Sequence, residues 1–147
     1  MSEITSGATG RITFRHPVPV LRVFDVAKAH AFYLGYLGCT ADWEHRFAPD
    51  LPLYTQVSRG GLVLHLSEHH GDGTPGSVVY AELSGVRALH AELAAKDYPF
   101  QKPGLEEDGE IGLSLTVTDP FGNQLRFNEP PAAGGETPTA GGEAPAH

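Results

Sequence analysis

Two side chains suited to polar chemistry, His65 and Arg126, occupy matching places in two similar stretches of this 147-residue chain. Gly61-Leu62-Val63-Leu64-His65-Leu66 is echoed about sixty residues later by Gly122-Asn123-Gln124-Leu125-Arg126-Phe127. In an extended strand, alternate side chains point to opposite faces. Leu62, Leu64 and Leu66 therefore share one face, and Leu125 and Phe127 share the equivalent one. His65 and Arg126 turn the other way, Arg126 together with Gln124 and Asn128. A neutral imidazole can act as a base or orient a ligand, whereas a guanidinium only donates and needs an acceptor opposite it. The same alternation over residues 77–83 puts Val78, Tyr80 and Glu82 on that face, so Glu82 is the candidate partner of Arg126. Nucleophilic catalysis has no support. Ser67 follows His65 by two residues, but no Gly-x-Ser-x-Gly elbow and no spaced Asp accompany it. Glu68-His69-His70-Gly71-Asp72 offers two adjacent histidines that must point apart, and reads as a solvated turn.

The elements that carry these residues repeat too. Asp25-Val26-Ala27-Lys28-Ala29-His30-Ala31 is matched by Gly85-Val86-Arg87-Ala88-Leu89-His90-Ala91, each opening a helical stretch after an extended one. Asp25 is a good N-cap and Gly38 a good stop for a helix reaching Leu37. Strands are predicted over 14–24, 39–47, 53–58 and 62–67, with Gly60-Gly61 as the turn between the last two. The second half repeats the plan, with strands over 77–83, 98–102, 111–118 and 124–128, a helix over 86–96, and an acidic turn over 106–110. His30 and His90 sit at equivalent helix positions and mark surface or helix–sheet packing. The plan is strand–helix–three strands, twice, and predicts an α+β fold: two βαβββ modules, about 14–67 and 77–129, forming curved mixed sheets around a cleft.

Composition narrows the function. Residues 1–10 read as a flexible segment, 11–129 as one domain, and 130–147, rich in Gly, Ala, Pro and Glu, as a disordered tail. The net charge of −8 argues against nucleic acid, which demands clustered Lys and Arg. No secretory leader or membrane-length apolar run is visible, so a soluble cytoplasmic protein with no membrane partner is expected. The single Cys39 excludes an intrachain disulfide and any cysteine-based metal cluster.

Val18-Pro19-Val20-Leu21, Asp25-Val26 followed by Phe32-Tyr33 and Leu37-Gly38, and Asp119-Pro120-Phe121-Gly122-Asn123 together resemble the vicinal oxygen chelate superfamily of glyoxalases, bleomycin-resistance proteins and dioxygenases. The resemblance runs from about Arg15 to Glu129 and implies the paired βαβββ fold. In metal-dependent members, inward residues of the first and fourth strands of each module hold the metal. Here those positions are Val18, His65, Val78 and Arg126. Two valines and a guanidinium have no lone pair to give, so neither metal nor other cofactor is expected.

The chain is closest in character to the bleomycin-resistance branch, which binds drug between two subunits. Asp42-Trp43-Glu44-His45-Arg46-Phe47 resembles its acidic, aromatic second-strand segment, and Pro19 matches a proline near which an arm crosses to the partner. That branch carries Trp-Gly in the seventh strand, where this chain has Ile111-Gly112. Half of the aromatic sandwich is then missing unless Tyr80 or Phe100 supplies it. The expectation is a homodimeric, antibiotic-binding protein with no catalytic residues, sequestering a planar, cationic small molecule. Trp43, Phe47, Tyr54 and Tyr80 would supply stacking surface, His65, Gln124 and Arg126 would orient polar groups, and Glu44 and Glu82 would add negative potential. The alternative is a glyoxalase-like lyase or isomerase, or a dioxygenase-family enzyme, with a degenerate or displaced metal site and His65 as general base.

Overall fold

The computed structural model describes residues 10–132; nearly all of the predicted flexible start and tail lies outside them. The first module runs β1 (Val20–Arg22), α1 (Val26–His30), a π-helical stretch (Ala31–Tyr36), β2 (Thr40–His45), β3 (Tyr54–Arg59) and β4 (Leu62–Ser67). The second runs β5 (Val78–Glu82), α2 (Val86–Ala94), β6 (Leu105–Asp108), β7 (Gly112–Thr118) and β8 (Gln124–Glu129). Each forms one four-stranded sheet, ordered β1-β4-β3-β2 and β5-β8-β7-β6, with a parallel first pair and two antiparallel ones. The doubled βαβββ plan read from the repeat is the architecture found. Val20 lies beside His65 and Tyr80 beside Arg126, so the two halves are equivalent residue for residue.

Both sheets turn their apolar faces to one shared core. Leu64 and Leu66 of β4, Leu125 and Phe127 of β8, and Val86 and Leu93 of α2 are all buried there. Asp25 caps α1 as expected, accepting from the Lys28 amide at 2.9 Å. The helix does not stay α-helical to Leu37, however. The Leu37 amide donates five residues back to Phe32, and the wider turn buries the consecutive rings of Phe32 and Tyr33 together with Tyr36.

Three boundaries differ from the sequence reading. The first strand pairs only over Val20–Arg22, because residues 14–19 have no neighbouring ladder except the bond from the His65 amide to Pro19. Residues 98–102 form no strand: Pro99 and Pro103 cannot donate to a ladder. Tyr98 instead stacks on Tyr36 with ring centroids 4.4 Å apart. The strand falls later, over Leu105–Asp108, and takes up the first three of the five residues of the predicted acidic turn. The remaining turn is closed by Asp108 Oδ1, which accepts from the amides of Glu110 and Ile111.

One buried polar cluster ties the modules together. Asp119 Oδ2 accepts from the Tyr33 hydroxyl at 2.6 Å and from Asn123 Nδ2 at 2.8 Å, while Oδ1 accepts from the Phe121 and Asn123 amides. Asn123, fully buried, also donates to the Arg22 carbonyl and accepts from the Ser77 amide. The turn motif of the second module thus grips β1 of the first and sets where β8 begins. Burial and the Asp119 carboxylate push the Tyr33 hydroxyl far above its ordinary pKa.

Candidate functional site

The face of the first sheet that points away from the core gathers an aromatic group. Tyr54 and His65 share it, as alternation opposite Val57, Leu64 and Leu66 requires. Trp43 joins them because the β2–β3 register shifts at Asp42, and its ring stacks on Tyr54 at 6.0 Å with only 7° between planes. The His65 ring stands edge-on to both, 5.3 Å from Trp43 and 5.2 Å from Tyr54. A β-bulge of this kind re-aims a side chain, and here it leaves Asp42 on the same face as Trp43, hydrogen-bonded to Gln56.

Both ring nitrogens of His65 are engaged. Nδ1 lies 2.7 Å from the Tyr54 hydroxyl and Nε2 lies 3.0 Å from Gln56 Oε1, whose amide nitrogen reaches Asp42 at 3.0 Å. Desolvation lowers the His65 pKa, which favours the neutral ring. Burial, then the charge of Asp72, raises that of Tyr54. Hydrogen bonds from Ser58 and Gln56 hold the Asp42 carboxylate below its usual range. Gln56 and Asp42 were not among the sequence candidates. Alternation places Gln56 beside Tyr54, but the bulge that brings Asp42 round has no simple signature.

The other candidates are distributed differently. Phe47 is well exposed beyond the end of β2, edge-on to His45 at 4.8 Å and farther from His69. Glu44 pairs with buried Thr55 in register, so it lies on the opposite side from Trp43, and its carboxylate is 3.7 Å from His30. The His69-His70 turn is held by its backbone. Arg22 donates to the His69 carbonyl, and Ser67 Oγ accepts from the His69 amide while donating to Asp72.

Tyr80, Glu82, Gln124 and Arg126 gather on the outward face of the second sheet. The Tyr80 hydroxyl donates to Glu82 at 3.0 Å and accepts from Asn128 at 3.2 Å. Among the described residues Arg126 has no carboxylate within ion-pair distance, and its side-chain contact is Gln124 at 3.4 Å. The expected Glu82–Arg126 pair does not form within the chain. No hydrogen bond or aromatic contact among the described residues joins this group to Trp43, Tyr54 and His65. Each sheet has its back to the shared core, so the two groups look outward separately. An open groove of about 1280 Å³ separates residues 16–19 and the start of β4 from β5 and α2, and it takes in only Tyr80 and Glu82 of these candidates.

A divalent metal does not fit the four positions matched to metal ligands. Val18 and Val78 carry no donor atom, Arg126 carries a positive charge, and His65 already spends both nitrogens on Tyr54 and Gln56. Among the described residues no group of three His, Cys, Asp or Glu is arranged to hold a metal, and no helix is long and apolar enough to cross a membrane.

A family model described as a glyoxalase superfamily protein matches residues 2–134. No curated protein matches the chain in sequence. Among solved structures, the bleomycin-binding protein of bleomycin-producing Streptomyces verticillus, complexed with copper(II)-bleomycin, is 31% identical, with a TM-score of 0.57 over 81% of this chain and 98% of that one. TnmS3, an antibiotic binding protein from Streptomyces sp. CB03234, is 18% identical, with a TM-score of 0.62 over 82% of this chain and all of the other. The bleomycin resistance determinant encoded on the transposon Tn5 is 17% identical, with a TM-score of 0.61 over 80% and 98%. At such identity the last two speak for the fold alone.

Proposed function

The chain belongs to the glyoxalase superfamily, and from that premise we propose that it is a homodimeric binding protein that sequesters a planar, cationic small molecule, an antibiotic of the bleomycin type, without turning it over. The observation that carries this reading is the parallel Trp43–Tyr54 pair with His65 edge-on, on a face that no element of the described residues covers. Trp43 is 43% exposed, so a flat ligand can stack on it directly. Aromatic faces near the Asp42 carboxylate attract a delocalised cation. The solved relative at 31% identity is, by its own description, bleomycin-binding.

Dimerisation completes the site. Tyr80 is 58% and Val78 51% exposed, and Ile12 and Phe14 stand out on an unpaired N-terminal arm. Such a collection of apolar surface calls for a cover. A second copy can supply it by setting its second sheet, with Tyr80, Glu82, Gln124 and the uncommitted Arg126, over the Trp43 face of the first. Two equivalent clefts follow from the two-fold symmetry of such a contact.

Trp43 is the sole tryptophan, so its fluorescence reports the site without labels. Bleomycin, with and without copper(II), and a set of planar cations should quench or shift it saturably, with one site per chain, in a protein that sediments as a dimer. A monomer, or a flat titration across the whole set, would refute the proposal. So would turnover of a hemithioacetal or catechol that appears on adding nickel, manganese or iron.

A further inference from the structure

The hydrogen bonds running from Asp42 to Tyr54 have only one consistent direction. A carboxylate accepts and never donates, so the side chain of Gln56 must face Asp42 with its NH2 group, as it does at 3.0 Å. Gln56 Oε1 is thereby turned to His65 Nε2, 3.0 Å away, and needs a proton there. In the neutral ring, a proton on Nε2 leaves Nδ1 bare. The Tyr54 hydroxyl, 2.7 Å from Nδ1, must then donate inward. Its proton is used up, and the phenolic oxygen meets the open face with lone pairs alone.

We propose that Asp42, acting through Gln56 and His65, fixes Tyr54 as a hydrogen-bond acceptor beside the Trp43 stacking surface, so that the site selects planar ligands presenting an N–H or O–H donor. This rests on the small-molecule reading of the same face. Asp42 touches no ligand in this scheme and is a positioning residue. Reversing the chain would need a donor at position 42. The Gln56 amide would then turn over and give its N–H to Nε2. The His65 proton would move to Nδ1, and Tyr54 would donate outward. The wild-type carboxylate forbids that sequence, and Asp42→Asn permits it. Burial raises the Tyr54 pKa, and so does the negative charge of Asp72, which also bonds Ser67 and favours the same acceptor-only character.

The tautomer is directly observable. With histidine labelled on its ring nitrogens, and the His65 signals assigned by their loss in His65→Gln, the full-length protein at pH 7.5 should show His65 protonated on Nε2 alone. Asp42→Asn, and Asp42→Ala as a second variant, should move it toward a mixture; both change an exposed side chain and leave the core intact. A wild-type His65 protonated on Nδ1, or a tautomer indifferent to both variants, would overturn the proposal.

Selectivity is read with two neutral probes of equal shape, benzimidazole, which has an N–H, and benzoxazole, which has an oxygen in its place. Followed by the Trp43 indole resonance, the wild type should bind benzimidazole about two- to tenfold more tightly, the range of one net hydrogen bond. The ratio should fall toward one in Asp42→Asn. Equal or reversed preference in the wild type would overturn the selection rule. If neither probe perturbs Trp43, the small-molecule reading of this face fails, while the tautomer measurement still decides the role of Asp42.

Discussion

Replacing Tyr33 with phenylalanine removes a single oxygen from the cluster that joins the two modules. That oxygen donates to Asp119 Oδ2 at 2.6 Å, and Tyr33 is fully buried while Asp119 is 4% exposed. Hydrogen bonds to charged groups contribute about 1.5–3 kcal/mol. Phenylalanine fills almost the same volume, so no sizeable cavity adds to the loss, and Asp119 keeps its bonds from Asn123 Nδ2 and from the Phe121 and Asn123 amides. The expected loss is therefore about 1.5–3 kcal/mol, equivalent to roughly 5–15 °C in Tm for a domain of this size. Urea denaturation followed by Trp43 fluorescence measures it, with the midpoint falling and the slope unchanged. Asp119→Ala should cost more, because it orphans the buried Tyr33 hydroxyl, at about 1–3 kcal/mol, and also takes the acceptor from the Phe121 and Asn123 amides and from one N–H of Asn123 Nδ2, whose other N–H keeps the Arg22 carbonyl. A Tyr33→Phe loss below about 0.5 kcal/mol would refute the reasoning, because substitutions away from buried polar networks usually stay within that range.

Gly112 has a φ of +108°, and a Cβ there would collide with the Glu129 carbonyl oxygen and crowd Pro130. Gly112→Ala should destabilise by at least about 1–3 kcal/mol in urea, whereas Gly61→Ala, in open space with no positive φ, should be neutral or stabilise by up to about 1 kcal/mol. Arg126→Ala should change monomer stability by no more than about 0.5 kcal/mol, since among the described residues its side chain has only the long contact to Gln124, yet weaken ligand affinity if the second sheet closes the cleft. The His65 pKa is lowered in the folded protein, so between its folded value and the unfolded value near 6.5 the unfolded chain binds more protons. This group's contribution to stability is thus unpenalised above about pH 6.5 and declines as pH falls below it; His65→Gln should flatten that part of the urea-midpoint profile.

The doubled architecture was legible because the repeat lies in side chains that the backbone pattern must bury. Leu62, Leu64 and Leu66 have no alternative to the core face, so His65 and Arg126 could be placed on the other without coordinates. What escaped the sequence was local geometry that breaks the period. The bulge at Asp42 puts adjacent residues on one face, which strict alternation denies, and so separates Glu44 from the group to which the resemblance of the 42–47 segment assigns it. The π-helical stretch likewise changes a periodicity of 3.6 into one that buries Phe32 and Tyr33 side by side. Pro99 and Pro103, legible in the sequence, argue against the strand expected over 98–102.

The equivalence of the two halves makes their difference informative. His65 and Arg126 hold the same position in their sheets, but His65 is tied on both nitrogens while Arg126, among the described residues, meets only Gln124 through its side chain. Val20 and Tyr80 are equivalent as well, a small apolar residue beside the tied histidine and a large ring beside the free arginine. On the proposed reading the first sheet is preorganised, with stacking surface and a directed acceptor already in place, while the second offers the Arg126 cation, a half-exposed ring and the Glu82 carboxylate. Preorganisation lowers the ordering cost of binding, and flexible polar groups adjust to the ligand at some entropic expense. A scaffold with both sheets rigid would accept one shape, and with both loose would bind weakly. In the proposed dimer, facing one copy's rigid sheet with another copy's adaptable one would place both properties in each cleft, which a single chain with its two outward faces turned apart cannot do.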